Sequence, residues 1–424
     1  MRTRLKNTRV RPAASRREQG RSFQPARTVR VAVLIESSRA YGRGLLSGVA
    51  QYAQERAHWR MDYQERELQS GLPAWLSQWE GDGILARIED DAMARGLLEL
   101  GVPVVDLRRI GRGQWIPAVH TDENRVVRLV LEHFSERGFQ HFGFCGFPGV
   151  DYSDMRASLL AKELESREKF CEQYAPPAAA AHTWTVEFEQ DGMHSEAHLA
   201  QWLQRLPKPI GIMACNDIRG QQVLNACRRA GIAVPEQVAV IGVDNDEVLC
   251  GLSDPPLSSV APDTRAIGYQ AATLLDRLMR GEHTRQKDFY TEPLGIVTRR
   301  STDTLVIPHA GAARALSFLR RHYHEPITLK NLAADLQVTL RSIQDVFKAL
   351  VGRSLHEELD RLRIVRAKEL LQDSALKLGA VAAACGFANQ RQFRRTFLRE
   401  TRQTPQQYRR ELKALLRLNP SRSV

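Results

Sequence analysis

Two copies of one short layout, about fifty residues apart near the C-terminal end, constrain this chain's fold more than any other feature. The later copy runs through Ala383-Ala384-Cys385-Gly386-Phe387 and Asn389 to Phe397. Apolar residues recur there at helical spacing, Val381, Ala382 and Cys385 before a glycine, then Phe393 and Phe397 after it. The earlier copy is Thr328 to Leu336, a turn at Gln337-Val338, then Thr339 to Ala349. Thr328 and Thr339 suit N-cap positions, and Leu332, Leu336, Ile343, Phe347 and Leu350 supply apolar faces. The amphipathic run Leu355 to Leu371 lies between the copies. The pattern predicts an all-α C-terminal domain with two helix-turn-helix units on one rigid strut, spaced to enter successive major grooves.

The outward faces carry the chemistry. In the second unit they are Gln390, Arg391, Arg394, Arg395 and Arg399, amides and guanidinium ions that suit base edges and phosphates. A solvated charged face is the commoner fate of a single basic helix, but the pairing of two such units favours DNA. In the first unit the exposed positions are Leu340, Arg341, Gln344, Asp345 and Lys348. Asp345 places a negative charge near phosphates unless it accepts from a cytosine amino group.

These residues carry a resemblance. Residues 314–411 resemble the AraC-type DNA-binding domain through Arg363-x-x-x-Ala367, Cys385-Gly386-Phe387, Phe393-x-x-x-Phe397 and Thr404-Pro405-x-x-Tyr408-Arg409. The resemblance implies operator or promoter DNA as partner. The chain departs from the pattern where a basic residue is usual at 340 and 345, a Ser/Thr cap at 377 (here Lys377) and a glycine at 402 (here Arg402). Gly379 also lowers helix propensity by about 1 kcal/mol relative to Ala. The second unit is therefore expected to give more phosphate affinity although it is less well capped.

Charge follows the same division. Residues 1–28 hold nine Lys/Arg against one acid, residues 309–424 hold 22 against 10, and the stretch between holds 30 against 38. A basic end on a mildly acidic body points to nucleic acid at that end. Residues 1–28 read as a disordered basic leader without the apolar centre of a signal peptide, either a weak DNA-attracting tail or an upstream start with no function. Residues 412–424 read as a tail. Six cysteines show no metal spacing and sit mostly in apolar runs, so reduced core thiols in a cytoplasmic protein are expected, with no metal and no cofactor. No apolar run of about 18 residues suggests a membrane span.

From Val29 the grammar changes to alternating strands and helices. Strands are predicted at 29–35, 83–86, 102–105, 142–145, 211–214 and 238–243. Helices are predicted at 44–57, 91–100, 123–137, 154–172, 195–205, 217–230 and 264–280. Such alternation implies parallel sheets in an α/β body over 29–305, joined by a linker at 306–313 to the domain at 314–411. Neither GxGxxG after the first strand nor GxxxxGK[ST] occurs, so nucleotide readings lack their phosphate cradle. Without HExxH, GxSxG or a Ser/His/Asp order, the chain does not read as an enzyme.

The body resembles the sensor of LacI/GalR-type regulators, itself similar to periplasmic sugar-binding proteins. The resemblance rests on Gly81-Asp-Gly-Ile-Leu, Gly101-Val-Pro-Val-Val, Met213-Ala-Cys-Asn216-Asp217, the run Gly231 to Asn245, and Pro255-Pro-Leu-Ser-Ser-Val260. It implies two α/β lobes with a monosaccharide, a pentose such as xylose, in the cleft. It also implies a homodimer acting on transcription, with activation as the favoured output and RNA polymerase as a further partner. A regulator of another sugar, one without a sugar response, and a transport component stay as alternatives.

Sugar hydroxyls need planar bidentate groups and an aromatic or apolar wall at the ends of parallel strands. Glu36, Asn216-Asp217 and Asp244 each follow a strand, and Arg156 opens a helix. The resemblance makes Asp244 and Arg156 the acid and arginine that hold hydroxyls, and Asn216 a third contact. Glu36, Tyr152, Arg87, Arg39, Tyr41 and Arg43 are further candidates, while Asp217 is read as a helix cap. Trp75 and Trp79 are expected in the core. Leu159 and Leu160 are expected to alter the pocket floor.

Overall fold

The computed structural model describes residues 28–68, 70–108, 115–176, 192–307, 309–336, 339–371 and 376–418. The leader, Thr28 excepted, the turn at Gln337-Val338 and residues 419–424 of the tail lie outside them, as does the side chain of Leu340.

Strand β1 (Arg30–Leu34) and helix α1 (Ala40–Tyr52) open the first lobe. With β2 (Arg60–Tyr63), β3 (Gly83–Ala86), β4 (Val104–Asp106), β5 (Ala118–Thr121) and β11 (Asp288–Thr291) they build a six-stranded parallel sheet, order β11-β5-β4-β3-β1-β2. The central strands β1, β3 and β4 are short and mostly apolar because helices cover both faces. The helices are α1 and α2 (Asp91–Leu98), together with α8 (Thr264–Met279), which returns from later in the chain.

The second lobe repeats the plan. Its sheet has the order β12-β10-β9-β8-β6-β7, from β6 (His141–Cys145), β7 (Cys171–Gln173), β8 (Ile210–Ala214), β9 (Val238–Val243), β10 (Ser258–Ala261) and an antiparallel edge β12 (Gly295–Val297). Around it lie α3 (Glu123–Glu136), α4 (Asp151–Glu165), α5 (Gly192–Arg205), α6 (Asp217–Arg229) and α7 (Glu247–Leu252). The chain passes between lobes at 122, at 262–263 and at 292–294, so the cleft is bordered by crossing segments.

The sequence misplaced several features here. The predicted helix 154–172 runs 151–165 and is followed by β7, since Cys171 must pair with Phe142 on the sheet edge. Strands β2, β5, β10, β11 and β12 were not anticipated. Leu160 is 1% exposed inside the second-lobe core and Leu159 packs beside it, so neither forms a cleft floor. Trp75 and Trp79 are half-buried on a 3₁₀ turn, with indole N–H groups donating to Gln64 and Asp62. The cap at the start of α6 is Asn216, one residue before the predicted Asp217. All six cysteines are buried and none is in a disulfide. No described helix is long and apolar enough to cross a membrane.

The described residues of the C-terminal domain form seven helices: α9 (Ala310–His322), α10 (Leu329–Asp335), α11 (Leu340–Val351), α12 (Leu355–Leu370), α13 (Leu378–Ala384), α14 (Gln390–Thr401) and α15 (Pro405–Leu418). Helix α9 starts inside the predicted linker, and Ile307 is buried in the first half's core. The segment is a packed connection rather than a loose tether. Helix α12 contributes its N-terminal half to one core, with Leu332, Leu336, Ile343 and Phe347, and its C-terminal half to another, with Val381, Phe393 and Phe397. Leu350, expected to be buried, is 45% exposed, because Val351, four residues on from Phe347, takes the inward position instead.

Candidate effector cleft and nucleic-acid interface

Between the lobes Tyr41, Arg87, Arg108, Glu123, Tyr152, Arg156, Asn216 and Asp244 line a cavity of about 80 Å³ together with Arg39, Leu68 and Leu107. Each lobe presents an arginine against a tyrosine. The Arg87 guanidinium lies 4.9 Å from the Tyr41 ring centroid, and that of Arg156 lies 5.3 Å from Tyr152. Each arginine is also backed by a carboxylate. Arg87 pairs with Glu36, and Arg156 makes a fork to Glu123 at 2.6 and 2.7 Å while donating to the Cys215 carbonyl. Burial opposes the charge on both arginines, and Glu36 and Glu123 outweigh it. Burial also raises the Tyr41 phenol to about 12, and its hydroxyl stays neutral beside Thr121 Oγ1 at 3.2 Å.

The second-lobe floor is built from strand ends. Asn216 ends the loop after β8; its Oδ1 caps α6 through the Arg219 N–H, and its Nδ2 donates to Tyr152 at 3.1 Å. Asp244 follows β9 at φ 108°, a conformation seldom adopted by a residue with a side chain, and Asn245 follows at φ 49°. Asp217 braces this loop from below, accepting from Ser259 Oγ at 2.6 Å and from the Asp246 N–H at 2.7 Å. Burial, and then the charge of Asp244, raises its carboxyl to about 8.

Five of the six residues predicted for the ligand therefore meet in one cavity: Arg87, Tyr152, Arg156, Asn216 and Asp244. Glu36 does not line it and stands behind Arg87, 3% exposed. Arg43, a weaker candidate, donates to the Ser37 and Ser38 carbonyls. Glu123 and Arg108 were missed. Arg108 is a polar residue just past a strand, the signal used for Asp244. Glu123 comes two residues after β5, a strand hidden by Pro117 just before it and His120 within it.

On the second reading head, Arg391, Arg394 and Arg395 line a shallow concavity with Asn389, Thr404 and Gln406, and all three arginines are exposed. Gln390 is half-buried at the first turn of α14. Arg399 does not join this set in the structure, because its guanidinium bonds Asp360 on α12 at 2.6 Å and Glu400 at 2.9 Å. On the first head Arg341, Asp345 and Lys348 are exposed and Gln344 half-buried. Lys377 gives no side-chain cap to α13, whereas Asn389 caps α14. No cluster of acids, histidines and cysteines suited to a metal occurs among the described residues.

Two parallel-sheet lobes around a polar cleft, joined to paired helix-turn-helix units, define a DNA-binding, sugar-responsive transcription regulator. Family models agree segment by segment: XylR N-terminal domain over 30–113, periplasmic binding protein-like domain over 131–302, and helix-turn-helix domain over 332–411. The chain is similar to the xylose operon regulatory protein of Escherichia coli K12, 29% identical over 389 residues, covering 90% of this chain and 96% of that one. Its counterpart in Haemophilus influenzae is 26% identical, with 90% and 98% covered. A solved xylose-binding transcription activator, xylR, superposes with a TM-score of 0.72 at 27% identity, covering 90% of this chain and 97% of that one. These relatives are regulators rather than enzymes.

Proposed function

We propose that the effector is a pentose, with xylose the first choice, held by Arg87 from one lobe and by Tyr152, Arg156, Asn216 and Asp244 from the other. The observation that carries this reading is the symmetry of the cleft: two arginines, each stacked on a tyrosine and each backed by a carboxylate, face one cavity with Asp244 beside them. Such fixed planar donors and acceptors suit vicinal hydroxyls, and the tyrosines suit the C–H face of a sugar ring. Glu36 and Glu123 position the arginines. The strained Asp244 backbone supports the same reading, since such conformations persist where a site requires them. The names of the relatives support xylose in particular.

The remaining roles are assigned with it. Arg341, Gln344 and Lys348 contact DNA from the first head, and Gln390, Arg391, Arg394 and Arg395 from the second. The chain acts in the cytoplasm as a homodimer whose lobe closure favours one spacing of the heads, and activates transcription by contact with RNA polymerase. A pentose phosphate is the second reading, favoured by Arg39 and Arg108, which bring the cleft lining to four arginines against Glu123 and Asp244.

A thermal-shift series with xylose, arabinose, ribose, glucose and xylose 5-phosphate tests the effector. Saturating xylose is expected to add about 2–3 kcal/mol of stability at a hundredfold excess over Kd. Asp244→Asn is expected to abolish that gain without lowering the unliganded midpoint. If no neutral sugar stabilises the protein, the pentose reading fails, and stabilisation by the phosphate alone selects the second.

A further inference from the structure

A second cavity, of about 350 Å³, lies where the sensor meets the reading domain, apart from the cleft between the lobes. One wall is the second-lobe loop at Val234, Pro235 and Glu236, and the other is formed by α9 and α12. Arg320, on α9, lines this cavity with nine-tenths of its side chain buried. Its Nε and Nη1 have no hydrogen-bond partner, and the Glu236 carboxylate stands off at 3.8 Å. The other acids at the rim are engaged elsewhere: Asp303 with Arg361 at 3.2 Å and Glu369 with Arg366 at 2.7 Å. Burial, with a smaller push from the charge of Arg361, depresses the Arg320 guanidinium, and Asp303, Glu236 and Glu358 do not make up the loss.

A buried guanidinium with two nitrogens lacking acceptors is costly in ordinary circumstances. Here the deficit faces a cavity, and two more arginines, Arg300 and Arg321, are exposed at its mouth. We infer that this junction cavity is a binding site for a small anion, the phosphate or carboxylate group of a metabolite, with Arg320 as its anchor. Nε and Nη1 lie on different edges of the guanidinium, so an oxygen of such a group supplies an acceptor to one of these edges. The apolar side chains of Val234, Pro235, Leu362 and Val365 receive the carbon portion. Because the walls belong to the sensor on one side and to the strut helix on the other, the bound anion strengthens their contact. The site is independent of which sugar fills the cleft.

Calorimetric titration of the full-length protein with inorganic phosphate, and separately with citrate, at constant ionic strength, tests the assignment. Saturable binding is expected with at least one of the two, which also tells phosphate from carboxylate. Arg320→Met is expected to weaken it by at least about tenfold, and Arg300→Ala by a few-fold. The double variant Arg394→Ala/Arg395→Ala is expected to leave it unchanged, which separates the cavity from the DNA face. The inference is overturned if neither anion binds saturably, if binding depends on Arg394 and Arg395, or if both junction variants bind like the parent. Should Arg320→Met not fold by circular dichroism, the rim variant Arg300→Ala decides alone.

Discussion

Asp217 illustrates how a residue outside the cleft controls one inside it. Its carboxyl accepts from Ser259 and from the backbone of Asp246, and so holds the turn on which Asp244 stands. Its folded-state value of about 8 is far above the unfolded value near 3.8. Between those limits the folded chain keeps a proton that the unfolded chain releases. The stability from this group is therefore greatest below about pH 4 and falls as pH rises to about 8. Asp217→Asn is expected to flatten that part of the profile. Urea unfolding at pH 5.5 and 8.5 should show the variant gaining on the parent by on the order of 1–3 kcal/mol at the higher pH. Parallel profiles would show that the carboxyl is ionised throughout. Glu123 acts similarly on Arg156. Glu123→Gln removes one charged end of the fork, and sugar affinity is expected to fall about tenfold with the cleft otherwise intact, as read by calorimetry.

At the scale of elements, the sequence signature of the reading domain becomes a set of contacts. Arg363, buried in α12, donates to the carbonyls of Tyr323 and Glu325 just past α9, and it lies 5.6 Å from the Phe387 ring centroid. Gly386 sits against the same carbonyls at φ 76°, where a Cβ would meet Tyr323 O at 2.4 Å. The two motifs thus lock α9, the strut and the second turn together. Gly386→Ala is expected to cost at least about 2 kcal/mol in chemical denaturation, because backbone on both sides must give way. Arg402, where glycine was expected, closes α14 in the left-handed region at φ 58°. Arg402→Gly is expected to stabilise by about 0.5–1 kcal/mol, read in the same assay. Helices with strong 3.6-residue periodicity, such as 340–351 and 390–401, were legible from the chain alone, as were six of the twelve described strands. Short or edge strands were not: β5 and β12 carry too few apolar residues to signal themselves, and their pairing depends on neighbours far away in sequence. Glu123 was illegible for the same reason, and Arg399 because its partner Asp360 is on another helix.

In the whole molecule the cleft and the reading heads are joined by a traceable set of bonds. Asn245, beside Asp244, accepts from Arg299 at 2.8 Å. Arg299 opens the exit segment, whose Ser301 and Thr302 are fully buried against the second-lobe strands. Asp303 ends it with an ion pair to Arg361 on the strut helix. The Asp244 turn is thus connected to α12 by a buried, hydrogen-bonded segment rather than by a loose tether. Coupling through this segment requires that both sites bias one equilibrium. Arg299→Met keeps the side-chain volume, removes the bond to Asn245 and touches neither the cleft lining nor the DNA face. In this variant xylose is expected to bind within a few-fold of the parent and operator DNA to bind as in the sugar-free parent. The sugar-dependent change in DNA affinity, typically 1–3 kcal/mol for such coupling, is expected to fall by at least half. Fluorescence anisotropy on operator DNA at fixed salt, with and without xylose, measures it, and the salt must be held because phosphate contacts dominate the affinity. An unchanged sugar response in Arg299→Met would move the coupling away from the exit segment and onto the direct packing of α9 and α12 against the second lobe.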